Sequence, residues 1–346
     1  MSTSNKTSGQ PRRATIRDVA ALAGVGIKTV SRVINDEQNV SAQTREKVDQ
    51  AITALRYVPN LSAGSLGRND RKTRSLGVLL SDLANPFAAS ITRAIEDAAR
   101  PRGVAVFAAS LDEDPDQEAE RVSVFTRRRV DGLVMMAVSN DQGYLHHERE
   151  HGTPIVFVDR SPSGISADSV VVDNAIGAAN AVAHLAEHGH TSIAYLGDNP
   201  AIYTAKERRR GFIDRMMSDR LELGPVIEDL RSEEAARSAV TAIMAGANPP
   251  TAIFTSQNLV TIGAIRALRD LDLHRSVALV GFDDFSLADL IEPGVTVIAQ
   301  HPSEMGSIAA ERVFARIEGD DRAEQEYVVQ TTLIARGSGE IRPHGG

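Results

Sequence analysis

Apolar residues first recur at helical spacing. Ile16, Val19, Ala20 and Ala23 fall on one face of a segment that opens with Thr15 and Asp18 at capping-box spacing and stops at Gly24. A second short helix follows, with Val30, Val33 and Ile34 inward. After the polar turn INDEQNV, Ser41 is placed to cap a third helix carrying Val48, Ile52 and Leu55. That helix ends before Pro59, because the residue preceding a proline resists helical geometry. Three short helices, the first two joined at a glycine, predict a compact bundle. Beyond the basic, glycine-containing stretch LSAGSLGRNDRKTR the period changes. Apolar runs SLGVLL, VAVFAAS, VDGLVMMAV, PIVFVD, SVVVD, TSIAYLG, TAIFTS and VALVGFD alternate with helical segments, which predicts parallel strands buried on both faces. So many runs exceed one comfortable sheet, and two α/β lobes are expected. The polar residues at strand carboxyl ends are Asp82, Asp159, Ser256, Gln257 and Asp283, and they should converge on a cleft between the lobes.

Composition narrows the partners. At 346 residues the chain suits two or three units, and its lack of cysteine excludes disulfides, zinc–thiolate sites and thiol catalysis. The opening MSTSNKTSGQPRR reads as a disordered polar tail without the apolar core of a secretion signal. No apolar run approaches the roughly 20 residues needed to cross a bilayer, so a cytoplasmic, nucleoid-associated protein with no membrane partner is expected. The net charge of −8 is uneven: residues 1–74 hold 13 Lys+Arg against 6 Asp+Glu, and the remainder is strongly acidic. A basic head on an acidic body fits a nucleic-acid module joined to something that avoids nucleic acid, although a solvated basic face would look the same.

The segment GVGIKTVSRVIN decides between two chemistries. As a phosphate cradle it lacks a preceding strand and the third glycine of a dinucleotide fingerprint, and no Walker pattern occurs in the chain. As a turn and recognition helix it satisfies its own requirements. Lys28 and Arg32 can reach acceptors on guanine, Ile27 can touch a thymine methyl, and Thr29 and Ser31 can bond phosphates. Catalytic and metal signals are poor. His184 and His188 have the i, i+4 spacing of a metal pair but no adjacent acidic third ligand, and DEDPDQE lacks the glycine and spacing of a calcium loop. No GxSxG elbow exists. Neither an enzyme, a cofactor nor a metal is expected.

At this point ATIRDVAALAGVGIKTVSRVINDEQNVSAQTREKVDQAITALRYVPN resembles the DNA-binding headpiece of LacI-type (LacI/GalR) bacterial transcriptional repressors. The likeness continues through TRSLGVLLSDLANPFAASITRAIEDAARPRG, RRVDGLVMM, PIVFVDR, AEHGHTSIAYLGD, VALVGFDD and VIAQHPSEMGSIAAE, nearly the whole chain. It implies an all-α helix-turn-helix headpiece (14–59) after a tail (1–13), and a hinge helix and linker (60–74). A two-lobed, periplasmic-binding-protein-like α/β body with parallel sheets would follow, its N-lobe from 75–172 and 300–326, its C-lobe from 173–299 and 327–340. DNA contacts would come from Thr15, Ile27, Lys28, Thr29, Ser31, Arg32, Asn39, Asn60, Ala63 and Leu66, the last as a wedge that kinks the operator centre. Effector contacts would come from Asp82, Phe87, Asp159, Arg208, Gln257 and Asp283.

Three departures stand out. Gly26 replaces a usual serine, at small cost because glycine is an acceptable N-cap. Gly64 weakens the hinge helix by about 1 kcal/mol relative to alanine. The absence of tryptophan excludes a Trp-stacked sugar. The resemblance implies a homodimer on a pseudo-palindromic operator, controlled by a small molecule, with a sugar favoured. A nucleobase, a protein co-regulator or a solute-binding role are the alternatives. The segments PFAASITRAIEDAA and TIGAIRAL are expected to make dimer contacts, and no leucine-heptad tail suggests a tetramer.

Overall fold

The computed structural model describes residues 13–35, 37, 39–58 and 72–343. These form two compact units that divide at Arg74.

In the first unit, α1 (Ile16–Ala23), α2 (Ile27–Ile34) and α3 (Ala42–Ala54) enclose a small apolar centre of Val19, Ala20, Val30, Val33, Val48 and Ala51. The backbone amide and hydroxyl of Thr15 both donate to Asp18 Oδ2 at 2.7 Å, which closes the start of α1. Gly24 ends α1 at φ +65°, a left-handed conformation open to glycine. Ser41 Oγ accepts the Thr44 amide at 3.2 Å and starts α3. Each cap expected from the sequence therefore forms. Asn60, Ala63, Gly64 and Leu66 lie outside the described residues.

The second unit holds two sheets of the same strand order. The first contains β1 (Ser75–Leu80), β2 (Ala105–Ser110), β3 (Gly132–Met135), β4 (Ile155–Val158), β5 (Asp168–Val172) and β11 (Glu326–Val329), in the order β11-β5-β4-β3-β1-β2. The second contains β6 (Ser192–Leu196), β7 (Glu222–Ile227), β8 (Ala252–Thr255), β9 (Ala278–Phe282), β10 (Thr296–Ala299) and β12 (Thr332–Ile334), in the order β12-β10-β9-β8-β6-β7. All neighbours are parallel except β10 and β12. Helices cover both faces. In the N-lobe α4 (Pro86–Ala99) and α11 (Pro302–Ile317) pack on Leu76, Val78 and Leu80, while α5 (Pro115–Arg127) sends Val122 and Phe125 to the face of Leu79, Leu133 and Phe157. A short α6 (His146–Glu150) precedes β4. In the C-lobe α7 (Asn174–Glu187) and α8 (Tyr203–Ser218) meet Tyr195, Phe254 and Phe282, and α9 (Glu233–Met244) and α10 (Asn258–Asp270) close the other face.

Four strands, β7 and β10 to β12, add to the eight runs read from the sequence. The chain crosses between lobes after β5, after β10 and after β11. The expected N-lobe boundary at 326 falls inside β11, whose Tyr327–Val329 pair with Val170–Val172 of the N-lobe sheet, so the third crossing comes three residues later. The expectation of strands buried on both faces also fails at β2. It is a sheet edge, and Phe107 remains 45% exposed.

Candidate functional site

Helix α2 presents two faces. Val30 and Val33 point into the headpiece centre, while Ile27 is 46% exposed and Lys28 is exposed beside it. An exposed isoleucine at the first turn of a short helix is a candidate for apolar contact with a base methyl. Thr29, Ser31 and Arg32 are partly exposed, and Asn39 is exposed in the loop before α3. The N-cap of α2 is Gly26, which contributes no side-chain hydrogen bond, as its departure from serine implies. The sequence reading missed one partner: Glu37 Oε2 stands 3.6 Å from Arg32 Nε. The Thr15 hydroxyl, expected at DNA, is engaged with Asp18.

In the second unit the strand ends converge on a cleft of about 380 Å³, lined by all six expected effector residues: Asp82, Phe87, Asp159, Arg208, Gln257 and Asp283. That volume lies within the roughly 300–1,000 Å³ of small-molecule sites. Asp159 follows β4 at φ +71°, and Asp283 follows β9 at φ +74°. Asp112 and Glu113, also in the cleft, are both at φ +53°. Non-glycine residues held in the left-handed region are strained and concentrate at functional sites. Burial raises the Asp159 carboxyl above its ordinary value, opposed by Arg160 and Arg208 and reinforced by Asp283 and Glu113. Burial also raises Asp198, against the Asn199 amide.

Arg208 is no surface arginine. It is 5% exposed, its Nε donates to Asn174 Oδ1 at 2.7 Å and its Nη1 to the Ser256 carbonyl at 2.8 Å. The guanidinium lies 3.9 Å over the Phe282 ring and 3.7 Å from Asp283 Oδ2. Its fork, expected to face a ligand, is thus turned toward α7 and the end of β8. Gln257 caps α10 by accepting the Leu259 amide at 2.8 Å, while its neighbour Asn258 is buried and reaches across the cleft to Asn85 Oδ1 at 3.2 Å. Gln257, the contact expected from the sequence, lines the cleft, and Asn258 lines it too. Sequence reasoning missed Glu113, Arg160, Asp198 and Gln300; Arg160 and Glu113 pair across 47 residues and Gln300 reaches Asp283, whereas Asp198 accepts the neighbouring Asn199 amide.

The other chemical candidates resolve into packing. His184 Nε2 pairs with Glu340, and His188 Nδ1 bonds the His184 carbonyl at 2.8 Å. In the acidic run, Asp114 caps α5 and Glu118 accepts the Val138 and Ser139 amides at 2.6 and 2.7 Å. No group of three or more metal-capable side chains occurs among the described residues. None of their helices is long and apolar enough to cross a membrane.

A helix-turn-helix module followed by two parallel-sheet lobes around a cleft defines a class, the DNA-binding transcriptional regulators built on a periplasmic-binding-protein-like body. Residues 15–60 match the family model of bacterial regulatory proteins of the lacI family, and residues 182–339 match that of the periplasmic binding protein-like domain. The HTH-type transcriptional regulator PtxS of Pseudomonas aeruginosa is 32% identical over 337 residues, covering 94% of this chain and 96% of that protein. The HTH-type transcriptional repressor PurR of Aliivibrio fischeri is 30% identical over 94% of this chain and 98% of its own length. The crystal structure of the Lac repressor dimer bound to operator and the anti-inducer ONPF superposes with a TM-score of 0.85 at 26% identity, covering 95% of this chain and 99% of that one. The chain belongs to the LacI family, whose members matched here are transcriptional regulators and not enzymes.

Proposed function

We propose that this regulator is a repressor that binds a pseudo-palindromic operator as a homodimer and is controlled by a sugar or sugar derivative in the interlobe cleft. The observation that carries the reading is the convergence of Asp82, Phe87, Asp159, Arg208, Gln257 and Asp283 on one cavity of small-molecule size. An aromatic ring beside carboxylates suits the apolar face and hydroxyl edge of a polyol. One related structure is that of the transcriptional regulator CelR in complex with cellobiose, with a TM-score of 0.69 and 30% identity over 94% of this chain and 100% of that one.

Base reading is assigned to Ile27, Lys28 and Arg32, with Thr29, Ser31 and Asn39 at phosphates, and the site of action is the cytoplasmic nucleoid. For the dimer, TIGAIRAL offers only its outward side, with Ile262 partly exposed and Arg266 exposed. Thr261, Gly263, Ala264, Ala267 and Leu268 are buried inside the C-lobe. The outer side of α4 and the exposed apolar residues of the edge strands, Phe107 on β2 and Leu223 on β7, fit a self-association face better.

Selection from a random duplex library with the full-length protein tests the function. The expected product is a two-fold symmetric site whose affinity falls with salt. Lys28→Ala and Arg32→Ala should each relax preference at one base position per half-site, by about 1–3 kcal/mol of discrimination. An unenriched or asymmetric pool would refute the reading.

A further inference from the structure

Charge in the cleft is unevenly committed. Six acidic residues line it, Asp82, Asp112, Glu113, Asp159, Asp198 and Asp283, against three arginines. Two of the arginines are buried and engaged. Arg160, 7% exposed, gives Nη1 and Nη2 to the two carboxylate oxygens of Glu113 at 2.8 and 2.6 Å, a planar two-point pair. Arg208 is held by Asn174, the Ser256 carbonyl and the Phe282 face. Arg231 donates from Nε to Asp229 at 2.6 Å, and its side chain stays 65% exposed at the cleft. Neither buried guanidinium therefore presents both terminal nitrogens free to the cavity, and acidic side chains outnumber arginines two to one there.

Open acceptors tell the complementary story. Gln300 is 8% exposed, lines the cleft, and donates from Nε2 to Asp283 Oδ1 at 2.5 Å. Its carbonyl Oε1 is buried and has no hydrogen-bond partner among the described residues. A buried amide oxygen left unpaired is costly, and a ligand donor is the natural remedy.

Resting on the reading of this cleft as the effector site, we infer that Glu113 neutralises Arg160 so that the cleft admits a neutral or cationic, hydroxyl-rich ligand and refuses an anionic one. Hydroxyl or ammonium donors of such a ligand satisfy Gln300 Oε1 and the neighbouring carboxylates. A phosphate or carboxylate on the ligand meets like charge and finds the buried Arg160 fork already bound to Glu113. Burial raises both the Asp159 and Asp198 carboxyls, helped by the like charge of Glu113 on each and of Asp283 on Asp159, so further negative charge at this place is opposed.

The test uses the full-length protein and a calorimetric and thermal-shift panel. Aldoses and disaccharides of several configurations are each accompanied by their amino, phosphate and uronate derivatives. Ligand-stabilised melting should appear only in the neutral and amino arms, with anionic derivatives at least about 100-fold weaker than their parents. Glu113→Gln removes the carboxylate paired with the Arg160 fork, leaving Asp159 at 3.4 Å from its Nε, and should shrink that ratio by about 10-fold or more; Asp198→Asn, which removes a like charge, reads the same ratio should the first variant not fold. An anionic derivative that binds as tightly as its parent overturns the inference. So does an unchanged ratio in a folded variant, or a panel with no neutral or cationic binder. The regulatory reading fails separately, if a neutral ligand binds this cleft yet leaves operator affinity unaltered.

Discussion

Replacing Arg208 with lysine keeps the charge and removes the planar fork. The parent guanidinium ties α8 to the start of α7 through Asn174 and to the end of β8 through the Ser256 carbonyl, and it stacks on Phe282. A single ammonium at the end of a flexible stem cannot hold both acceptors at 2.7 and 2.8 Å while lying flat on the ring. Losing one charge-assisted hydrogen bond costs about 1.5–3 kcal/mol, and losing the stacking a further ~0.5–2 kcal/mol. Arg208→Lys should therefore destabilise the C-lobe by about 2–5 kcal/mol. Hydrogen exchange in β8 and α10, together with the urea midpoint of the full-length protein by circular dichroism, measures this locally and globally. A cycle with Asn174→Ala should show strong non-additivity, because both substitutions break one bond. If Arg208→Lys stays within about 0.5 kcal/mol of the parent, or if the two changes simply add, the arginine is not the strut described here. Loss of ligand binding with unaltered stability would instead make it a direct ligand contact.

Two further outcomes follow from the packing. Asp168 is 1% exposed and accepts from Arg316, Arg312 and the Gln325 amide. Asp168→Asn should cost about 3–5 kcal/mol of N-lobe stability, read by thermal melting, because Arg316 loses its carboxylate and Arg312 is left with Asp320 alone. Burial pushes this carboxyl up, but the Arg316 hydrogen bond, the Gln325 amide and the arginine charges outweigh it, and it sits below its ordinary value. Its stabilisation is then complete above about pH 4 and is lost as pH falls through the lower folded value, so acid denaturation should be shallower in the variant. Gly211→Ala should lower the melting temperature by overpacking worth about 1–3 kcal/mol or more, since a Cβ there would stand 2.0 Å from the Ala175 carbonyl oxygen of α7. A melt unchanged in either variant would contradict the packing described.

Legibility in the sequence followed the range of the interactions. The headpiece was readable because its determinants are local: Thr15 with Asp18, Gly24 at the turn, and Ser41 three residues before Thr44. Central strands such as β1 and β9 were readable because burial on both faces demands unbroken apolar runs. Strand β7 was not. Gly224 and Pro225 interrupt it, and only an edge position, with one side free of ladder bonds, tolerates that proline. The six strand-end and helix residues expected in the cleft could be placed by position, but their duties could not. Arg208 bonds groups 34 and 48 residues away, and Arg160 meets a glutamate 47 residues earlier. Long-range pairs of this kind leave no local periodicity. Gln257 and Asn258 both follow β8 and both line the cleft, and only the start of α10 decides which one caps and which one turns inward.

The three crossings between the lobes are laced to one another. Thr331 N donates to Asp173 Oδ1 at 2.7 Å, joining the first and third, and His301 Nε2 bonds Thr332 Oγ1 at 2.9 Å, joining the second and third. Strings tied side by side bend together and resist sliding past one another, so the body is left with essentially one coordinate, an opening angle. Gln300 belongs to the second string and holds Asp283. Whatever fills the cleft is thereby reduced to a single number before it leaves the body. Molecules of quite different shape that impose the same angle would carry the same message.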